Sequence, residues 1–321
     1  MIIGNMKRNI YSYSKLWMIL FVLMGAACTN QVEDAIPVSG QPIGFSVQSD
    51  WKEIPNTRLV DDNGTMKFTG GDQIQIFGFH KSSQWAVENV QFMYDVDNRT
   101  LGQKVEFDGT NWNYTPKRFW PKEGLLDFYA SYPCDSYNSS IHYDVEKKMM
   151  TYENNLTQDL LYGLATDRDR AKGNPVPIWM VHALAKVRII LDKSLGDIGQ
   201  VTVSGYKAGH FSPMSNKDGV PVWIIDDDKT SIYADFRKYE GKVDEELKNN
   251  NSVTVFILPD KITGLKMWGS DHHLIDASEE IKKHTFLAGK VYNLTISKSN
   301  GVRKKNTNSR SIAMSVRCVS E

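Results

Sequence analysis

Val105-Glu106-Phe107-Asp108-Gly109-Thr110-Asn111-Trp112-Asn113-Tyr114 decides how the rest of the chain is read. Apolar and polar residues alternate on both arms, the period of a half-buried strand, and a run of turn formers separates them. This predicts a β-hairpin and hence antiparallel pairing. Outward from it, the same period recurs at Ile43, Phe45 and Val47, at Gln73-Ile74-Gln75-Ile76 running into Phe77-Gly78-Phe79, and at Leu126-Asp127-Phe128-Tyr129-Ala130. Beyond Asn174-Pro175-Val176-Pro177 a second set follows. It comprises Ala185 to Leu191, Val201 to Val203, Val222 to Ile225, Val253 to Leu258 and Lys290 to Ile296. Helical periodicity is sustained nowhere, and Asp244 to Lys248 supports a single turn. The expected class is all-β, with short strands in antiparallel β-sandwiches.

Composition narrows the function. The 321 residues, 41% hydrophobic and 24% charged, are enough for two ordinary domains with packed cores. Lys plus Arg (38) balances Asp plus Glu (38), so the chain lacks the basic field of a general nucleic-acid binder. Three cysteines exclude a disulfide scaffold or a zinc ribbon. Cys134 and Cys318 remain open as a pair or as two buried thiols.

The N-terminus carries an address. Lys7, Arg8 and Lys15 precede the apolar run Leu16 to Met24, and Gly25-Ala26-Ala27-Cys28 follows as a small-residue cleavage zone. That run reaches about 14 Å as a helix, roughly half a bilayer core, too short for a retained span. Gly25-Ala26-Ala27-Cys28 resembles the bacterial lipobox, with Gly25 where Leu is usual. The resemblance implies removal of residues 1–27 as a signal peptide and acylation of Cys28. Several acyl chains would anchor the product firmly, and the mature chain would carry a net charge of about −3. Thr29-Asn30-Gln31-Val32-Glu33-Asp34 resembles the surface-export tag of bacteroidete lipoproteins.

Catalytic and metal signatures are sparse. Asp271-His272-His273 with Asp276 reads as a polar hairpin loop, since no helical i, i+4 histidine pair is present. His182 reads as a hydrogen-bonded structural residue, and Asp226-Asp227-Asp228 as a turn lacking the spaced ligands of a calcium loop. No nucleophile elbow, zincin motif or phosphate loop appears. The expectation is no metal, no cofactor and no catalysis. A hydrolase with an unmarked acidic pair is the weakest alternative. Trp85, Trp112, Trp120, Trp179, Trp223 and Trp268 are able to stack on sugars, although sandwich core is the plainer reading.

After a polar stretch from Lys298 to Arg310, Ile312, Met314, Val316 and Cys318 alternate with polar or small residues. A terminal strand with an apolar face pairs either with its own second domain or with a neighbour's sheet edge. Burying those four side chains would contribute about 5 to 10 kcal/mol before ordering costs.

An ordered series of motifs resembles the fimbrillin-like family of bacteroidete surface lipoproteins. It runs through Thr57-Arg58, Gly71-Asp72-Gln73-Ile74, Phe119-Trp120-Pro121, Asp127 to Pro133, Gln158 to Gly163, Val181 to Val187 and Gly289 to Leu294. The resemblance implies two transthyretin-like β-sandwiches in tandem. The expected layout is residues 1–27 signal peptide, 28–40 tether, 41–175 and 176–297 sandwiches, and 298–321 linker and C-terminal strand. It further implies a surface-anchored fimbrial subunit, tip adhesin or anchor at the cell outer membrane. Its partners would be other fimbrial subunits and host or bacterial surface glycans or proteins. Arg58 is then either a processing site, where proteolysis would release Ile43 to Val47 with the anchor and open a groove for a neighbour's strand, or a solvated loop arginine; Ile312, Met314, Val316 and Cys318 are candidate donor positions, the alternative being a remnant strand. The competing expectation is a monomeric glycan-binding outer-membrane lipoprotein of a polysaccharide-uptake system.

Overall fold

The hairpin forms as its residues predict. Gln103–Phe107 pairs antiparallel with Trp112–Asn113, Glu106 facing Asn113 and Phe107 facing Trp112. Asp108 holds the turn: its Oδ1 accepts the Thr110 and Asn111 N–H groups at 2.8 and 2.7 Å. Gly109 supplies the left-handed backbone, at φ 97°. The computed structural model describes residues 38–49, 60–61, 66–81, 90–134, 141–214, 216–217, 219–226, 231–298 and 314–320.

Seven strands lie side by side in one large sheet, in the order Phe45–Ser49, Val176–His182, Leu161–Arg168, Leu125–Tyr132, Gln73–Lys81, Gln103–Phe107, Trp112–Asn113. An eighth, Val90–Met93, also pairs with Gln73–Lys81. Both faces are buried. Ile74, Ile76, Phe128, Ala130 and Ile178 point to one apolar cluster, and Phe77, Phe79, Tyr129 and Tyr162 to another. At one end Lys81 Nζ lies 2.7 Å from fully buried Asp127 and 2.9 Å from Asp167, while Asp127 Oδ1 accepts the Asp167 N–H. Those Lys81 contacts hold the Asp167 carboxyl below its usual value.

The second half builds two four-stranded sheets. One runs Ser252–Ile257, Ala185–Leu191, Val291–Lys298, Met314–Ser320, and the other Ser231–Arg237, Ile198–Tyr206, Ile262–Gly269, Leu274–Asp276. Val187, Ile189 and Leu294 of the first meet Val201, Val203 and Leu265 of the second in a single core. A further sheet joins the halves. His142–Asp144 and Met149–Glu153 from the first pair onward to Ala208–Phe211 and Ile224–Ile225 from the second. The all-β expectation holds.

The strands do not divide at residue 175, where two prolines suggested a boundary. Val176–His182 is an internal strand of the large sheet, with Val176, Ile178 and Met180 buried, and the chain crosses at buried Ala183 and Leu184. Pro175 therefore stands in a loop inside the first half, and Pro177 within the strand that follows it. Val222 to Ile225 is not one strand either: Val220–Pro221 and Ile224–Ile225 are separate two-residue strands. The expected single helical turn is a six-residue helix, Glu245–Asn250. Asp244 caps it by accepting the Leu247 N–H at 2.8 Å, and Asn251 ends it in the left-handed conformation.

Candidate functional site

Two edge strands carry the functional reading, and one of them is built around a corner. Val38–Pro42 lies antiparallel to Phe119–Pro121, the chain turns at Ile43 and Gly44, and Phe45–Ser49 then runs parallel to Val176–Met180 at the sheet edge. Five hydrogen bonds pin the corner. Ile43 N–H donates to the Arg118 carbonyl (2.9 Å), and Val176 N–H donates to the Gly44 carbonyl (2.8 Å). The Tyr114 hydroxyl donates to the Ile43 carbonyl at 2.7 Å. Asn174 takes the Gly44 N–H on Oδ1 (2.7 Å) and gives Nδ2 to the Pro42 carbonyl (3.0 Å). A Cβ at Gly44 would stand 3.3 Å from Asn174 Oδ1 and 3.5 Å from Pro175 Cβ, so any side chain there makes the Asn174 amide give by a few tenths of an ångström.

Past the corner the strand is anchored by alternate side chains. Ile43, Phe45, Val47 and Ser49 are all buried, whereas Ser46 is half-buried and Gln48 exposed. Phe45 meets Phe128 edge-on, ring centroids 5.3 Å apart, and Tyr114 at 5.7 Å. Burial pushes the Tyr114 phenol up to about 12. Ser49 Oγ is buried with no hydrogen-bond partner among the described residues.

The second edge strand is the tail. Met314–Ser320 pairs antiparallel with Val291–Lys298 over seven positions, from Met314 opposite Lys298 to Ser320 opposite Tyr292, and forms the edge of its own sheet. Val316 and Cys318 stand in register with Ile296 and Leu294. Of the two pairings expected for this strand, the structure thus has the intramolecular one. Cys28, Arg58 and Ile312 lie outside the described residues.

The remaining sequence candidates are placed as structural groups. Asp271, His272 and His273 form the loop between Ile262–Gly269 and Leu274–Asp276; His272 is left-handed at φ 65°, and His273 Nδ1 is bonded to Asp271. His182 is buried at the end of its strand with Nδ1 on the Asp159 carboxylate, and burial lowers its pKa. Among the described residues no three His, Cys, Asp or Glu side chains gather to hold a metal ion. Trp112 and Trp120 are core, Trp223 donates Nε1 to the Ala183 carbonyl at 2.7 Å, and Trp179 is the one described tryptophan that stands exposed. Asn174 and Tyr114, the braces of the corner, were not singled out by the sequence; the Asn-Pro pair at 174–175 was its only signal.

No curated protein matches the sequence. Among solved structures, a Bacteroides uniformis protein assigned to cell adhesion is 13% identical, with a TM-score of 0.50 over 87% of this chain and 97% of its own. A Bacteroides ovatus protein with the same assignment is 14% identical, with a TM-score of 0.48 over 87% and 96%. The fimbrial anchor protein Mfa2 from Porphyromonas gingivalis is 10% identical, with a TM-score of 0.34 over 81% and 92%. At these identities the likeness concerns the fold. A family model described as fimbrillin-like matches residues 57–313, well over half of the sequence, and the chain therefore belongs to the fimbrillin-like family.

Proposed function

We propose that this chain is a non-catalytic fimbrial subunit of the cell surface that joins its neighbours by exchange of edge strands. Membership of the fimbrillin-like family supports assembly with other fimbrial subunits. The observation that carries the finer reading is the edge strand at 43–49. Among the described residues Phe45–Ser49 pairs through its backbone on one side only, and the segment sinks Ile43, Phe45 and Val47 into the core. Removing it would open three apolar sockets, at a cost of roughly 5 to 8 kcal/mol, and bare the backbone of Val176–Met180. A strand from a neighbour would restore both at once.

In this reading Cys28 is acylated and holds the precursor at the outer membrane. Cleavage after Arg58 then releases the anchor together with both N-terminal strands. Ile312, Met314, Val316 and Cys318 supply the alternating side chains of a donor, which must first leave the Val291–Lys298 edge. Mature surface material should begin at Leu59 on N-terminal sequencing, and trypsin-like treatment of purified protein should yield SDS-resistant ladders. Material that starts at an acylated Cys28 and never forms ladders would count against strand exchange.

A further inference from the structure

A cavity of about 350 Å³ opens beside the strand Val38–Pro42, where Phe119–Pro121 comes near the 3₁₀ turn Arg170–Lys172. Ser39, Trp120, Pro121, Lys122, Asp169 and Arg170 line it. That volume is at the small end of the range for ligand pockets, roughly 300 to 1,000 Å³, and suits a sugar ring with its substituents. We propose that the cavity binds an acidic sugar whose carboxylate lies between Arg170 and Lys122. The site is separate from the edge strand at 43–49, and it stands or falls independently of strand exchange.

Charge selects the ligand first. Arg170 and Lys122 are exposed, and among the described residues neither side chain has an ion pair or a hydrogen bond. Their neighbours differ: Lys172 donates to the Asp167 carbonyl and Arg168 to the Lys172 carbonyl. Two unpaired cations on one cavity wall favour an anion, and a guanidinium takes a carboxylate through two parallel hydrogen bonds. Asp169 then narrows the choice. Its Oδ1 accepts the Lys172 N–H at 2.8 Å, which fixes the turn that presents Arg170, and its carboxylate also lines the cavity. A negative wall repels a doubly charged phosphate more than a singly charged carboxylate, and it accepts hydrogen bonds from sugar hydroxyls. Below them lies Trp120, fully buried and edge-on to Phe128 at 6.4 Å between centroids, its Nε1–H without an acceptor among the described residues. A sugar oxygen would supply that acceptor, and Pro121 offers apolar surface to the C–H face of the ring. Ser39 adds a hydroxyl from Val38–Pro42, so a sugar that touches both walls ties this strand to Phe119–Pro121.

The test titrates D-galacturonate and N-acetylneuraminate into the uncut full-length protein by calorimetry. At least one should bind, and its methyl ester, which removes the charge alone, should bind about tenfold more weakly. Arg170→Gln should weaken the acid by about tenfold, and Lys122→Gln by a smaller factor, with Tm unchanged in both because the two side chains are exposed. Hydrogen exchange at residues 38–42 and 119–121 should slow when the sugar is added. Absence of binding by both acids, equal binding of the ester, or affinity that survives both substitutions would overturn the site. Inorganic phosphate that displaces the sugar at equal concentration would overturn the assignment to a carboxylated sugar. SDS-resistant ladders report on strand exchange alone, so failure of one reading is distinguishable from failure of the other.

Discussion

Asn174 grips Gly44 from 130 positions downstream, its Oδ1 taking the Gly44 N–H at 2.7 Å while its Nδ2 reaches the Pro42 carbonyl. One amide thus closes both sides of the bend between the two N-terminal strands. Asn174→Ala should cost about 1 to 3 kcal/mol, since two backbone groups lose a partner. The expected readout is a lower Tm in the uncut chain and faster release of the N-terminal segment after trypsin. An unchanged release rate would show that the bend is held by its apolar residues alone.

Tyr114 bears on the same bend through its hydroxyl. Because burial raises the phenol to about 12, the folded state resists ionisation more than the unfolded chain, whose tyrosines titrate near 10. The stability it contributes is therefore intact below pH 10 and falls as pH rises from 10 to 12. Tyr114→Phe should lose about 1 kcal/mol at neutral pH and show a shallower alkaline decline. Denaturant unfolding at pH 8 and pH 11 measures both effects.

Lys81 is the counter-charge of a carboxylate that has no access to water. Lys81→Met should cost about 3 to 5 kcal/mol, because Asp127 would be left charged and buried without its cation. Asp167 is largely exposed, so Asp167→Asn should cost far less. Equal losses in the two variants by thermal unfolding would contradict the division of roles.

His182 predicts an acid response. Its pKa in the fold is lowered by burial, so the unfolded chain takes up the proton first as pH falls below about 6.5. The stability contributed by the neutral ring is present above that pH and declines on acidification. His182→Gln should be less stable than wild type at pH 7.5, and its Tm should drop less between pH 7.5 and pH 5. Half-buried His142, on Glu153's side of the joining sheet, is lowered by burial too and should be carried as a His142→Gln control.

How much of this was legible depended on the distance over which a residue's partner lies. The hairpin at 103–113 could be read because both strands and the Asp108 turn fall in one short window. The parallel pairing of Phe45–Ser49 with Val176–Met180 leaves no such local mark, since parallel neighbours need a long crossover and share no turn. Pro175 and Pro177 were read as a boundary because proline breaks ladders. Here one stands in the loop before the strand, and the other faces outward at a strand position opposite Ser46. The Ile224–Ile225 strand is too short to display any period. Arg58 and Cys28 rest on motif alone. The tail's alternation predicted a strand correctly, but alternation cannot say which edge a strand will choose.

The sheet in which Met149–Glu153 lies against Ala208–Phe211 gives the molecule a mechanical character. Its ladder ties a segment from before the chain crossing to one from after it, so bending one half against the other means breaking backbone bonds next to the tilted and edge-on rings of Tyr152, Phe211 and Trp223. A filament of such units would flex at the junctions between molecules and stay stiff within each one. Tension along it would therefore be felt first at those junctions.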